Sequence, residues 1–481
     1  MEVERNVAAG IKWGSLAKFG GQAISWAITL VVFRLLAPQD YGLMALGTVL
    51  IAVVSGVAEF GLGASLVQAR ALDERDLSQV AGALAALNIA CAVLMVAGAP
   101  VFAGLLANPR LTPVIQALSA QFVLNALDAV PQSLAARQMK FKLIAGIDLA
   151  ATLVSCLTTL VLALLGARVW ALVIGNLAGA VTRTALYVGL GGFVRPSFGW
   201  TNMGRHIRFG GAVTLARFLW QITYQSDVLI AGRMLAADAV GLYSVSMHLA
   251  VLPMNKTMGM INQLAFPAVA RLQLELPRMR ERLLASLRLL TLAGIPALWG
   301  ISATAPEFVD VALGDRWHPA ITALQIVSFV APLRLLAAVL ATALAALGRA
   351  DLELRNTVVG AIVLPLAFFL GARFGITGLA TSWLVAMPIV FAINFPPTCR
   401  TLGIRFWQLM AAIRTPLIAG AVMYACVFVA RLPLVQYDEL VRLPLLILAG
   451  GIGYLGTVSV LDRSIWGEVR RLAIAVRGQP V

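Results

Sequence analysis

The stretch Ser15–Leu43, SLAKFGGQAISWAITLVVFRLLAPQDYGL, decides the organisation of this chain, because Thr214–Leu242, TLARFLWQITYQSDVLIAGRMLAADAVGL, repeats it. The two stretches align without a gap at a shift of 199 residues and are identical at ten of 29 positions. An apolar chain produces leucine and alanine matches readily, so the informative matches are Gln22 with Gln221, Arg34 with Arg233, and Gly42 with Gly241. Lys18 falls on Arg217, so a cation recurs in the same setting.

A second, shorter echo supports an internal duplication. The tetrapeptide LGAR occurs at 165–168 and again at 370–373, and each copy tightly joins two apolar segments. The repeat predicts an N-terminal lobe over residues 1–192 and a C-terminal lobe over 193–400, with two additional helices and a tail over 401–481. Each lobe would contain six helices. Because six is even, both lobes start from the same side of a membrane and form parallel repeats.

The composition is that of an integral membrane protein. Of the 481 residues, 60% are hydrophobic and 12% are charged, whereas soluble domains carry about 25% charged residues. Each of the recurring apolar runs can cross a bilayer of roughly 30 Å as a helix. We expect an all-α fold with about fourteen transmembrane helices near residues 14–33, 42–66, 79–106, 112–134, 143–166, 168–191, 208–232, 240–268, 284–305, 320–347, 356–372, 375–395, 409–430 and 441–461.

Arginine and lysine are unevenly divided between the two sets of connecting loops. With the N-terminus inside, one set carries 23 basic residues and the opposite set carries eight. This bias follows the positive-inside rule and predicts that both termini are cytoplasmic. It also explains most of the net charge of +15. Since the basic residues form no cluster with interleaved aromatic side chains, we expect no nucleic-acid partner.

The sequence lacks the motifs of several other classes of protein. No loop exceeds about twenty residues, and there is no GxxxxGK[ST] loop for ATP hydrolysis. The four cysteines and three histidines are scattered without the spacing of metal ligands, so we expect neither a metal nor a cofactor. The work of the protein is therefore expected inside the helix bundle, driven by gradients of substrate or ions.

The first span has a polar face, and the seventh span repeats it. Spacings of three and four residues place on one helical face Ser15, Lys18, Gln22, Ser25 and Thr29. The matching set in the seventh span is Thr214, Arg217, Gln221 and Tyr224. The two stripes together predict a water-filled cavity lined from both lobes. For Lys18 alone, which lies about one turn inside the membrane, extension to the cytoplasmic surface is an equally good explanation.

Other ionisable residues lie within the spans, where charge is costly and usually faces protein or a water path. Lys256, beside Asn255 in the eighth span, and Arg334 in the tenth complete a set of four interior cations with Lys18 and Arg217. A cavity of this sign suits an anionic cargo such as a diphosphate. The candidates for polar lining or ion coupling are Gln22, Gln221, Asp227, Glu59 and Asn255.

The remaining charges in the spans have simpler explanations. Glu59 is placed to pair with Lys18, since both lie in the cytoplasmic part of neighbouring antiparallel spans. Asp128 is expected at a buried contact between helices. Asp148 and Arg183 lie close to the cytoplasmic ends of their spans, where a side chain reaches water by snorkelling.

Two segments resemble a known family. Residues 33–68, FRLLAPQDYGLMALGTVLIAVVSGVAEFGLGASLVQ, resemble the first hairpin of the bacterial polysaccharide-unit flippases, and residues 225–273 resemble the start of that family's second half. These flippases belong to the multidrug/oligosaccharidyl-lipid/polysaccharide exporter superfamily. The pieces LAPQDYG and AEFGLGASLVQ are typical of its exopolysaccharide branch. The resemblance covers most of the chain and implies two lobes arranged as an inverted V in the bacterial inner membrane.

This resemblance also implies a function. Proteins of the family move an undecaprenyl-diphosphate-linked oligosaccharide from the cytoplasmic to the periplasmic leaflet by alternating access, for exopolysaccharide or lipopolysaccharide assembly. The ligands would be a lipid-linked anionic glycan and membrane lipids, and the expected partners are a polysaccharide polymerase and a chain-length regulator. In the related lipid II flippases, cations on the first and eighth spans bind the diphosphate, and Lys18 and Lys256 stand in comparable spans.

Two other functions stay open at this point. A cation-coupled multidrug or small-solute antiporter of the same superfamily would have an acidic cavity, for which Asp128 and Asp227 are candidates. A polymerase or glycosyltransferase of the pathway normally needs a sizeable periplasmic loop. The longest outer loop, 306–319, has only about fourteen residues, and its acidic residues are Glu307, Asp310 and Asp315. We therefore expect a transporter and not an enzyme.

Overall fold

A computed structural model describes residues 21, 24–58, 66, 73–198, 203–271 and 276–462, and it describes residues 203–217 and 255–271 by their backbone alone. Within these ranges the chain forms helices and no strand. The helices are α1 (Ile24–Leu35), α2 (Pro38–Ala58), α3 (Glu74–Leu105), α4 (Leu111–Leu118), α5 (Ala120–Arg137), α6 (Phe141–Leu164), α7 (Val169–Gly191), α8 (Met203–Met234), α9 (Ala237–Arg271), α10 (Leu276–Ala303), α11 (Ala305–Ala312), α12 (Ile321–Ala346), α13 (Ala350–Ala372), α14 (Gly375–Leu402), α15 (Phe406–Leu434) and α16 (Glu439–Leu461). A 3-10 helix, Asp315–Ala320, precedes α12.

Twelve segments of the described chain are long and apolar enough to cross a membrane. They overlap twelve of the fourteen predicted spans, and two of them, Pro38–Gly56 and Ala237–Met254, end ten or more residues before the predicted limits; α4 and α5 together form one segment. Of the first predicted span only α1 lies within the described residues, and the seventh predicted span is the 32-residue helix α8. The all-α membrane fold is thus confirmed, and the exact number of spans stays a prediction.

The helices form two compact units, residues 1–244 and 245–481, so that the division falls inside α9. The predicted lobe boundaries at residues 192 and 400 stay predictions. Among the described residues of the second unit, one hydrophobic core is built from four helices, α10, α12, α14 and α15. Its fully buried members include Met279, Leu287, Leu335, Leu402 and Leu409.

In the first unit, Gly42 and Gly241, which the sequence repeat aligns with each other, each lie against the other's helix. Pro38 begins α2 and Ala237 begins α9, and these positions are 199 residues apart. A Cβ atom on Gly42 would come within 3.0 Å of the carbonyl group of Ala237, and one on Gly241 equally close to that of Pro38. Equivalent glycines therefore let equivalent helix starts meet backbone to backbone. Such reciprocity is expected of parallel repeats related by a two-fold axis.

The tight connections predicted around the LGAR motifs are present, but the two motifs are placed differently. Gly166 follows the end of α6 with φ of +77°, a conformation that favours glycine. In the second copy Gly371 lies inside α13, and it is Gly375 that has a positive φ, of +73°. Gly371 instead brings α13 against α14, because a Cβ atom there would meet the backbone of Gly378.

The segment 306–319, expected as an exposed loop, is helical, and its first acidic residue is buried. Glu307 lies in α11 and is 1% exposed. Arg431 of α15 binds both of its carboxylate oxygens, through Nε at 2.8 Å and Nη2 at 2.9 Å. Nε of Arg442 in α16 lies 3.5 Å from Oε1 of the same carboxylate. Glu307 therefore joins the two C-terminal helices to α11, and most of the segment predicted as a loop is helical.

Candidate functional site

The nine predicted site residues differ in how far the structure places them. Those outside the described residues are Lys18, Gln22 and Glu59. Those on described helical backbone, with no description of the side chain, are Arg217 on α8 and Asn255 and Lys256 on α9. Those with described side chains are Gln221 and Asp227 in the first unit and Arg334 in the second.

Helix α8 carries the polar positions predicted for the seventh span along one face. Arg217, Gln221 and Tyr224 follow one another at spacings of four and three residues, which places them on the same side of the helix. Gln221 and Tyr224 are half-buried, whereas Asp227, one turn beyond Tyr224, is buried. The polar face is thus partly accessible at Gln221 and Tyr224 and closed by packing at Asp227.

Asp227 is held within the hairpin formed by α8 and α9. One carboxylate oxygen accepts a hydrogen bond from the Tyr243 hydroxyl at 2.7 Å, and the other accepts one from the backbone N–H of Val228 at 2.7 Å. Both oxygens are therefore already bonded, as a buried carboxylate requires. These contacts account for an acidic residue in the span, and a role for Asp227 in ion coupling stays a prediction.

Arg334 is a cation near the middle of a membrane span. It lies 13 residues after the start of α12 and 12 before its end, about 20 Å from either end by helix rise. The guanidinium carbon is 4.3 Å from the ring centre of Trp383 on α14, which is fully buried. Nη1 lies 3.2 Å from Sδ of Met247 on α9. The aromatic face and the sulfur stabilise a charge that hydrocarbon would exclude.

The face of α12 that carries Arg334 is open among the described residues and otherwise lined by small side chains. Arg334 is half-buried, and the partly or fully exposed positions that follow along the same face are Ala337, Ala338, Ala341 and Ala345. Exposed positions on other spans carry large apolar residues, for example Ile362 and Leu366 on α13. A face of alanines with one arginine fits a wall of a polar cavity better than contact with lipid.

A partly accessible guanidinium in this setting is suited to anionic oxygens. Its planar fork of donors matches phosphate geometry, and its charge does not depend on pH. Sequence reasoning found Arg334 from its depth alone. It missed Trp383, because a tryptophan in an apolar span has no signal that distinguishes an arginine partner from ordinary core packing.

In the first unit, sequence reasoning also missed a polar contact between α5 and α7. Asp128 is 1% exposed, and Oδ2 lies 3.2 Å from Nε of Arg183 and 2.9 Å from the Thr184 hydroxyl. Nη2 of Arg183 donates to the side-chain oxygen of Asn125 at 3.0 Å. Asp128 is a helix contact as expected. Arg183, expected to extend to the surface, is bound to it.

With this geometry established, the chain can be compared with known proteins. Residues 31–322, more than half of the chain, match the family described as "Polysaccharide biosynthesis protein". The chain belongs to this family. Its relative in Escherichia coli (strain K12), the lipopolysaccharide biosynthesis protein WzxC, is 24% identical over 399 residues, which are 82% of this chain and 81% of that protein.

Two solved structures share the fold of this polysaccharide biosynthesis family member. The lipid II flippase MurJ in an inward closed conformation has a TM-score of 0.69 at 13% identity, covering 94% of this chain and 99% of MurJ. An inward-facing multidrug resistance MATE family transporter of the MOP superfamily has a TM-score of 0.64 at 12% identity, covering 79% of this chain and 94% of that one. At these identities the likeness is one of fold.

Proposed function

We propose that this protein transfers an undecaprenyl-diphosphate-linked oligosaccharide from the cytoplasmic to the periplasmic leaflet of the bacterial inner membrane. Family membership supports a role in polysaccharide biosynthesis. The transporter fold supports movement of a cargo and not its chemical conversion. The observation that carries the proposal is Arg334, a cation near mid-span on an open face of alanines.

In the proposed mechanism, Arg334 is a binding site for the diphosphate part-way across the membrane. The hydrophilic sugar-diphosphate head enters between the lobes while the lipid tail stays in the bilayer, and the lobes alternate between openings to the two sides. A mid-membrane arginine offsets the cost of placing diphosphate charge in a medium of low dielectric. Lys18, Arg217 and Lys256 are proposed to act on the same head group at other depths.

The test replaces Arg334 in a strain that lacks the chromosomal gene. R334A should lower polymer export by about tenfold or more, the loss expected for a charge-assisted contact of about 1.5–3 kcal/mol. Lipid-linked repeat units should accumulate at the cytoplasmic face. R334K, which keeps the charge but not the bidentate fork, should retain part of the export.

The chain offers a matched control for this substitution. Arg373, after α13, also places its guanidinium over an aromatic ring, 5.2 Å from the centre of Phe369, but at the end of a span. R373A should leave export unchanged at equal protein level. Full export by R334A at normal expression would show that the diphosphate does not depend on this cation.

The antiporter alternative receives less support from the described side chains. It needs a carboxylate available to bind an organic cation. Asp128 is bound to Arg183, and Asp227 is bound to Tyr243. The mid-span charge of Arg334 is half-buried against Trp383 and Met247, and its positive sign favours an anionic cargo.

A further inference from the structure

The contact between α5 and α7 has features that a purely structural ion pair does not need. Besides Asp128, Arg183 and Thr184, the contact includes a hydrogen bond between Gln121 and Asn176. These two residues precede Asp128 and Arg183 by about two turns on the same two helices. Gln121, Asn125 and Asp128 lie at spacings of four and three residues, so one face of α5 is polar over two turns. A polar seam of this length within a membrane unit is costly and points to function.

The two side chains of the ion pair, Asp128 and Arg183, differ in how far they are exposed. The Asp128 side chain is 2% exposed, while that of Arg183 is 34% exposed. If the carboxylate were neutral, Arg183 would lose its charged partner and keep the neutral side-chain oxygen of Asn125. Its exposed side chain could then move outward to a polar environment. The Asp128 proton would therefore decide whether Arg183 is held to α5 by an ion pair or by one neutral hydrogen bond.

A tyrosine hydroxyl beside the pair has unused hydrogen-bonding capacity. Tyr187 is 1% exposed, and its hydroxyl has no hydrogen-bond partner among the residues that the structure describes. It lies one turn beyond Arg183 on α7 and interacts electrostatically with Arg183, Asp128 and Asp148. A buried hydroxyl without a partner is rare. Here the hydroxyl without a partner lies within electrostatic range of the ion pair.

The charged groups around Asp128 are few. From α7 the charged group is Arg183, and the Tyr187 hydroxyl on the same helix interacts with Asp128 and with Asp148 of α6. Helix α3 packs against α5 through Val80, Leu84 and Val130, and its charged residues, Glu74, Arg75 and Asp76, are confined to its first turn. Within α5 itself the other charge is Arg137, at the end of the helix, which donates to the Leu66 carbonyl.

We propose that Asp128 is a proton-binding site of this transporter, with Arg183 and Thr184 as positioning residues. A proton adds to Oδ of Asp128, the ion pair with Arg183 breaks, and Thr184 continues to hold the neutral carboxyl group. Loss of the proton restores the pair. The bound species is a proton rather than a metal cation, because the guanidinium of Arg183 already occupies the position of a counter-ion. The proton site itself does not depend on the proposed function. Its role in coupling transport to a proton gradient rests on that function.

Proton binding can be measured without any transport substrate. Infrared difference spectra of the purified full-length protein, taken between about pH 8 and pH 5, the range in which acidic switches act, would show the carbonyl stretch of a buried carboxylic acid. D128N should remove this band. T184V should shift its frequency, because the hydroxyl at 2.9 Å no longer bonds to the carboxyl group.

Glu307→Gln provides the matched control, since Glu307 is equally buried and also bound by arginine. E307Q should retain the band. A band of unchanged size in D128N would overturn the proposal. If D128N does not fold, an unchanged band in T184V would overturn the proposal equally. The frequency of a protonated Asp128 must change when the hydroxyl that bonds to it is removed.

A second measurement separates this site from the proposed cargo. The second measurement follows transfer of a lipid-linked oligosaccharide in proteoliposomes with a pH difference across the membrane. The pH difference should stimulate transfer by the wild type about tenfold more than transfer by D128N. A factor of ten corresponds to about 1.4 kcal/mol of coupling. Transfer by D128N that responds to the gradient as the wild type does would overturn the coupling role. A wild type that shows the Asp128 band but moves no glycan would contradict the proposed function and leave the proton site standing.

Discussion

At the scale of single residues, the described buried carboxylates each have partners within their own unit. Asp128 is bound by Arg183 and Thr184, Asp227 by Tyr243, and Glu307 by Arg431. A charge in a membrane protein is tolerated when it is paired in this way, because hydrocarbon offers no competing solvation. The cost of removing one partner is therefore larger than the net stabilisation that the pair provides.

Glu307 gives a prediction on stability. E307A leaves Arg431 and Arg442 facing a site without a carboxylate. Breaking a fully buried pair costs about 3–5 kcal/mol, and since the arginine side chains are 26% and 14% exposed, we expect about 2–3 kcal/mol here. Thermal unfolding in detergent would measure the loss.

The exposed pair of Arg349 and Asp351 is the control for that experiment. Its atoms are equally close, at 2.8 Å, but both side chains are largely exposed. Solvent screens such a pair, so D351A should unfold at the temperature of the wild type. Equal losses for E307A and D351A would mean that burial is not what makes the Glu307 contact important.

At the scale of helices, the starts of α2 and α9 lie in close backbone contact. A methyl group at Gly42 or Gly241 would meet a backbone carbonyl, which cannot rotate away as a side chain can. G42A and G241A should each destabilise the protein by about 1–3 kcal/mol, the usual cost of overpacking. Because the contact is reciprocal, the two losses should be similar.

Gly146→Ala is the matched control, since a Cβ atom there would meet nothing within 4 Å. Gly146 lies inside α6, where alanine is favoured over glycine by about 0.5–1 kcal/mol. G146A should therefore unfold at the same or a higher temperature. Wild-type stability of G42A would contradict the helix contact at this site.

At the scale of the whole molecule, the loop charges predict the orientation in the membrane. Cysteines introduced at Arg110 and Asp315 should react with a membrane-impermeant maleimide in intact spheroplasts. Cysteines at Met139 and Arg349 should react only after the membrane is opened. The natural cysteines, Cys91, Cys156, Cys399 and Cys426, lie buried or half-buried in helices and are replaced beforehand. The reverse labelling pattern would invert the proposed topology and the direction of transfer.

The sequence by itself determined where the helices lie. Twelve described spans match predicted ones because a bilayer requires each crossing segment to be apolar and to satisfy its own backbone hydrogen bonds. That constraint acts locally, so hydropathy reveals it. The predicted duplication rests on a similar argument, since identical polar residues in one register stand out in an otherwise apolar background. The helical state of 306–319 was not readable, because its charges resemble those of a loop.

Only the tertiary structure decided which side chains meet. Asp128 and Arg183 are 55 residues apart, Glu307 and Arg431 are 124 apart, and Trp383 lies beneath Arg334 from another helix. These partnerships depend on how each helix is rotated about its axis and at what height it packs against its neighbours. Hydropathy is nearly the same on all sides of such helices, so the rotation is set by close packing of side chains between helices and not by any local pattern in the chain.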